Sequence, residues 1–153
     1  MTTPAYTLRP ATPEDFEFMR RVGHEGLRPY IEPATGWDEA FHTARFRERF
    51  APGRQQVIQA GGRDAGYLDL VEDNDGVTVE GIYLDAPFRN RGLGTAILRQ
   101  ALERAEAGNK PVRLRVLLRN PARRLYERLG FRVTATTETH FMMERPVPGG
   151  HEG

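Results

Sequence analysis

Residues 77–118 constrain the fold more than any other stretch of this chain. They run from a strand pattern (VTVEGIYLD, 77–85), through a helix led by two glycines (FRNRGLGTAILRQAL, 88–102), to a second strand pattern (PVRLRVLL, 111–118). Ile97, Leu98, Ala101, Leu102 and Ala105 recur at the spacing of one apolar helix face. A strand, a helix and a strand in that order imply a right-handed crossover that lays the two strands parallel. Glycine weakens a helix, so Gly92 and Gly94 at its head need a reason other than helix propensity.

Upstream, residues 6–10 read as a short strand. Thr12, Pro13 and Asp15 then form a helix start, with Thr12 as N-cap, Pro13 at the first position and Asp15 closing the box. That helix is expected to end near Leu27, with RPYIEPATG (28–36) as a loop and WDEAFHTARFRERF (37–50) as a second helix. QQVIQA, DAGYLDLVE and VTVEGIYLD follow as three strands. Gly61-Gly62 and Asp75-Gly76 separate them as hairpin signals, so they are expected to form an antiparallel meander. Downstream, Asn120-Pro121 caps a short helix (PARRLYERL) that Gly130 stops, and residues 131–144 supply one or two closing strands. The expectation is an α/β fold with a mixed sheet, its antiparallel N-terminal half joined to a parallel β-α-β step and flanked by helices. One domain is expected over 1–145, with 146–153 as a flexible tail.

Several function classes drop out on composition. No cysteine is present, which removes disulfides, thiolate zinc sites and a cysteine nucleophile. The histidines at 24, 42, 140 and 151 lack metal-ligand spacing, so no metal is expected. Acidic and basic residues nearly balance at a net charge of +1, without the basic excess of a nucleic-acid binder. With no long apolar run and no apolar segment at the start, neither a membrane partner nor export is expected, which leaves the cytoplasm.

The amides of a helix's first turn lack intrahelical partners and sit at the positive end of its dipole, so an anion is the natural occupant there. Absent Cβ atoms at 92 and 94 let phosphate oxygens approach the backbone, and Arg89 and Arg91 add charge. A Walker A loop would require a lysine that is missing here, and a dinucleotide fingerprint would require a third glycine where Ile97 stands. Two readings remain: a phosphate or pyrophosphate held outside both of those motifs, or a plain tight strand-to-helix turn.

The run Arg89-Asn90-Arg91-Gly92-Leu93-Gly94 resembles the acyl-CoA pyrophosphate loop of the GNAT superfamily of N-acetyltransferases. NPARRLYERLGF (120–131) resembles that superfamily's second signature, and the order of elements is similar from Leu8 to about Met143. The resemblance implies acetyl-CoA as co-substrate and a small-molecule or peptide amine as acceptor, and it leaves homodimerisation open. Cofactor contacts are implied at Ile82, Tyr83, Leu84, Arg89, Arg91, Gly92, Leu93, Gly94, Thr95, Asn120 and Arg123. A backbone N–H at 82–84 polarises the thioester carbonyl, and a bulge at Gly81 turns it inward. Tyr126 matches the family tyrosine that protonates the leaving thiolate. Glu80 is the candidate general base, directly or through water, on the expectation that a half-buried strand carboxylate is made more basic by its surroundings; a water chain without a single base, with Glu80 facing solvent, is the alternative. A degenerate domain that binds acyl-CoA without catalysis is the alternative.

The acceptor is expected near Tyr30, Glu32, Trp37 and Asp38. At 100° per residue, Trp37 and Phe41 share one helix face while His42, Phe46 and Phe50 share the opposite one. If Phe46 and Phe50 pack on the core, Trp37 is left to line a pocket whose carboxylates suit a cationic amine.

Overall fold

The structure, a computed structural model, describes residues 5–147. Its strands are β1 (Thr7–Pro10), β2 (Gln56–Ala60), β3 (Arg63–Asp73), β4 (Gly76–Leu84), β5 (Val112–Leu117), β6 (Arg132–Thr136) and β7 (His140–Arg145). The helices are α1 (Phe16–Thr35), α2 (Glu39–Arg49), α3 (Leu93–Ala107) and α4 (Arg123–Arg128). The strands form one sheet in the order β1-β2-β3-β4-β5-β7-β6. β1, β2 and β3 pair antiparallel, β4 pairs parallel with β5 at Val77–Val79 against Val112–Leu114, and β7 lies antiparallel to β5 and β6. The parallel step is thus the one that the strand-helix-strand pattern implies.

By contact density the chain forms two units, Met1–Asp69 with Gly81–Ala96, and Leu70–Glu80 with Ile97–Gly153. In the first unit, Ala11, Met19, Val57 and Tyr67 form a core flanked by Phe18, Phe46, Phe50 and Tyr83. Phe16 meets Phe46 and Phe50 edge-on at 5.2 Å each, a favoured arrangement for aromatic rings. In the second unit, Ile97, Leu98, Leu102 and Ala105 bury one face of α3, and Val112, Leu114 and Val116 alternate inward along β5.

Three local expectations need correction. α1 continues eight residues past Leu27, through the stretch expected to be a loop, and contains Pro29 and Pro33. Both prolines stand on exposed positions one turn apart, where carbonyls left without an N–H partner can be hydrated. Arg28 and Glu32 pair along the same turns, and Gly36 (φ +80°) ends the helix by donating its N–H to the Glu32 carbonyl. α2 excludes Trp37 and Asp38. Asp38 is its N-cap, accepting from the Phe41 N–H at 3.0 Å. Asn120 lies two residues ahead of the Ala122 cap of α4 and accepts the Ala122 N–H at 2.9 Å, closing an Asx turn rather than capping the helix. Residues 146 and 147 carry no regular structure, and the rest of the expected tail, 148–153, lies outside the described residues. Among the described residues no helix is long and apolar enough to cross a membrane.

Candidate active site

The loop between β4 and α3 is built from its own backbone. Asn90 (φ +61°) and Gly92 (φ +81°) take left-handed conformations, which turn the chain sharply into the helix. The Ala96 N–H donates to the Gly92 carbonyl at 3.0 Å, so the amides of Leu93, Gly94 and Thr95 precede the helical ladder. Gly92 has no heavy atom within 4 Å of where a Cβ would stand, and at Gly94 only Leu84 Cδ1 comes near, at 3.7 Å. Packing inside the protein therefore does not demand a glycine at 94. Leu93 is buried and anchors the turn, while Arg91 is exposed.

Arg89 does more than add charge. Its Nε donates to the Leu84 carbonyl at 2.8 Å, tying the loop back to the end of β4. Its Nη2 is buried without a hydrogen-bond partner; the nearest carboxylate, Glu25, stands 3.8 Å away. A buried guanidinium nitrogen left unmatched costs about 1–3 kcal/mol, and an anion arriving at the loop offers the missing acceptor. Arg21 grips Asp85 with both terminal nitrogens at 3.1 and 3.2 Å, holding the carboxyl below its usual range and fixing the start of the loop.

On β4, Ile82, Tyr83 and Leu84 are half-buried. Tyr83 packs against Tyr67 with ring centroids 5.2 Å apart. A Cβ on Gly81 would stand 2.2 Å from the Tyr83 ring, and one on Gly66 would stand 2.0 Å from the Tyr83 carbonyl oxygen. Gly81 thus has a packing reason of its own beside the bulge expected there. Glu80 is exposed, not half-buried, so the burial invoked to make it basic is missing.

In the second unit, Tyr126 lies on α4 with its ring edge-on to Phe131 at 5.8 Å. Burial raises its phenol above the usual tyrosine range, so the group stays a proton donor throughout the neutral range. Arg123 stacks over Phe141 at 4.4 Å and pairs with Glu127 at 3.1 Å. Asn120 is occupied by its turn.

Of the residues expected to receive the acceptor, Glu32, Trp37 and Asp38 are engaged within the protein. Glu32 is paired by Arg28 at 3.0 and 3.2 Å, Asp38 caps α2, and Tyr30 is half-buried on α1. Trp37 stacks on His42 (4.0 Å, 14°) and donates from Nε1 to Glu39 at 2.8 Å, and the Arg28 guanidinium stands 5.7 Å from its ring. Phe46 and Phe50 face the core as the helical spacing requires, and Phe41 is exposed. Two residues that sequence reasoning passed over join this cluster. His24, buried on α1, contacts Trp37, His42 and Phe46, and its Nδ1 lies 3.3 Å from Glu39. The available signal was a histidine between Gly23 and Gly26, beside the apolar stripe Met19-Val22-Gly23.

Residues 52–133, more than half of the chain, match the acetyltransferase (GNAT) domain family. The chain belongs to the GNAT acetyltransferases. An uncharacterized N-acetyltransferase of Methanocaldococcus jannaschii is 27% identical over 82% of this chain, which spans 60% of that relative's length. The fold is shared with PaiA N-acetyltransferase of Thermoplasma acidophilum in complex with coenzyme A (TM-score 0.74, 18% identity, 93% of this chain and 99% of that one). It is also shared with the ribosomal-protein-S18-alanine N-acetyltransferase of Escherichia coli (TM-score 0.65, 21% identity, 97% of each chain). Within this GNAT chain, both the glycine-led loop and the 120–131 segment that carried the resemblance fall inside the matched residues.

Proposed function

We propose that residues 1–145 form one acetyltransferase domain, which moves the acetyl group of acetyl-CoA to a primary amine of a small molecule or peptide by direct nucleophilic attack. The observation that carries this reading is the loop at the head of α3. Its Gly94 meets no close neighbour, its first-turn amides precede the helical ladder, and Arg89 Nη2 lacks a hydrogen-bond partner. Those features fit a pyrophosphate, and coenzyme A carries one. Acetyl-CoA supplies the activated thioester. The backbone of 91–95 binds the pyrophosphate, with Arg89 and Arg91 adding charge. The amides of 82–84 donate to the thioester carbonyl, which needs the most stabilisation when it becomes an oxyanion. Asn120 and Arg123 belong to the cofactor contacts by family resemblance alone.

Tyr126 gives its phenolic proton to the departing sulfur, and its raised pKa keeps that proton in place until it is needed. Glu80, the base candidate of the sequence reading, is exposed, so a role for it in taking the proton runs through water. Tyr30, Glu32, Trp37 and Asp38 remain the proposed acceptor surface; opening it to an ammonium group requires Arg28 to give way. With no cysteine in the chain, an acyl-cysteine intermediate is excluded. Free-thiol release from acetyl-CoA, with and without an amine panel of amino acids, polyamines, aminoglycosides and peptides, tests the reading. Amine-dependent release supports it. Tight acetyl-CoA binding with no release for any amine identifies a binding module instead.

A further inference from the structure

We propose that the His24 imidazole, oriented by Glu39, binds the acceptor's amino group at Nε2 and takes a proton from it; this rests on the transferase reading above. His24 is 8% exposed and its Nε2 has no hydrogen-bond partner. Such buried, unmatched nitrogens are rare and mark the place of a missing partner. Nδ1 lies 3.3 Å from Glu39 Oε2 and 3.5 Å from Arg20 Nη1. Arg20 already bonds Glu17 at 3.0 Å and Glu39 at 2.8 Å, and an ionised carboxylate only accepts. In its neutral form the ring therefore places its single N–H on Nδ1, facing Glu39, and leaves a lone pair on Nε2.

Glu39 cannot swing away easily, because Trp37 Nε1 and Arg20 hold it at 2.8 Å each. His42 also faces the ring, and Tyr67 lies against the neighbouring Gly23. Burial and the nearby His24 lower the pKa of His42. Tyr67, whose hydroxyl would stand 2.7 Å from a Cβ on Gly23, has its pKa raised by burial and stays neutral. α1 meets β4 through another of its sides: at Gly26, half a turn around the helix from His24, a Cβ would stand 2.9 Å from the Tyr83 ring. Both glycines let α1 lie against these tyrosines by its backbone.

The proton balance is simple. One N–H bond of the ammonium breaks as an Nε2–H bond forms, and the positive charge passes to an imidazolium facing the Glu39 carboxylate. The freed amine lone pair attacks the thioester carbon, the C–S bond breaks, and the sulfur takes its proton from Tyr126. The protons left on the imidazole and on the new amide nitrogen return to water, one of them restoring Tyr126.

The test is the pH dependence of kcat/KM for the best amine among spermidine, tyramine and a peptide with a free N-terminus. It is run on the wild type, His24→Asn, His24→Gln and Glu80→Gln. Asparagine retains a donor toward Glu39, and glutamine restores a polar group near Nε2 that cannot take up a proton. Both His24 variants are expected to lose about 10²-fold in kcat/KM for the amine and to flatten the acidic limb, with KM for acetyl-CoA little changed. An acidic limb that survives in His24→Asn, or that disappears in Glu80→Gln instead, overturns the proposal. Should the His24 variants fail to fold, ¹⁵N NMR of the wild-type imidazole replaces them. A His24 Nε2 resonance that moves on adding the amine to the CoA-loaded protein supports the contact, and one that stays put overturns it. If the wild type binds acetyl-CoA but acetylates none of the three amines or the wider panel, the transferase reading falls and takes His24 with it. If the wild type works and His24→Asn works equally well, His24 falls alone.

Discussion

A single methyl group separates the two demands on Gly94. In the protein alone, a Cβ there makes ordinary contact with Leu84 Cδ1, and alanine is the better helix former by about 1 kcal/mol. In the proposed complex the same methyl stands where phosphate oxygens approach the backbone. Gly94→Ala should therefore keep or raise Tm while weakening acetyl-CoA binding by about tenfold or more, measured by calorimetry. Unchanged affinity would remove the loop from cofactor binding. Gly92 behaves differently, because its φ of +81° strains any L side chain by about 1–2 kcal/mol even in open space. At Tyr126 the ring packs on Phe131 and the hydroxyl does the chemistry, so Tyr126→Phe should fold normally and lose about 10²-fold in kcat. Wild-type turnover at saturating acetyl-CoA would show that the proton comes from elsewhere.

At the scale of elements, the start of α1 is secured by charge. Asp15 accepts from Arg9 and from the Thr12 N–H at 2.7–2.9 Å, and Arg9 holds its pKa down at about 2 against an ordinary 3.8. A carboxyl depressed in the folded state stabilises it fully above the unfolded value, near 4, and loses that contribution as pH falls through about 2. The difference corresponds to about 2 kcal/mol at neutral pH. Asp15→Asn should therefore cost about that much in urea melts at pH 7, with the deficit shrinking toward pH 2; a deficit independent of pH would mean that packing, not charge, is lost. This helix start was legible because Thr12-Pro13-Glu14-Asp15 is a local signal, though the box opens a 3-10 turn at Pro13–Asp15 and α1 itself begins at Phe16 with Asp15 as its cap. The helix end was not. Two prolines ordinarily mark a stop, and only exposure of their positions, a property of the folded chain, allows α1 to pass through them. The same limit applied to Trp37, whose helix face could be read but whose stacking on His42 could not.

For the molecule as a whole, the parallel β4-β5 step and the mixed sheet were readable because hydrophobic period and glycine placement are written in consecutive residues. The His24-Glu39 pair was not, since it joins residues 15 apart whose relation depends on how α1 and α2 meet. Glu80 shows the opposite limit: strand alternation assigned it a face but not its exposure. Cofactor binding should also stabilise the folded chain. Acetyl-CoA at a hundred times its Kd adds about 2.7 kcal/mol, so Tm should climb with acetyl-CoA concentration and less steeply in Gly94→Ala. An unchanged Tm at millimolar acetyl-CoA would argue against a site at the head of α3. The most direct test of the central claim remains the release of CoA thiol by wild-type protein supplied with acetyl-CoA and the amine panel. The account predicts release that rises with amine concentration and saturates, matched mole for mole by N-acetylated product. Release no faster with any amine than without one, from protein that demonstrably binds acetyl-CoA, would contradict it.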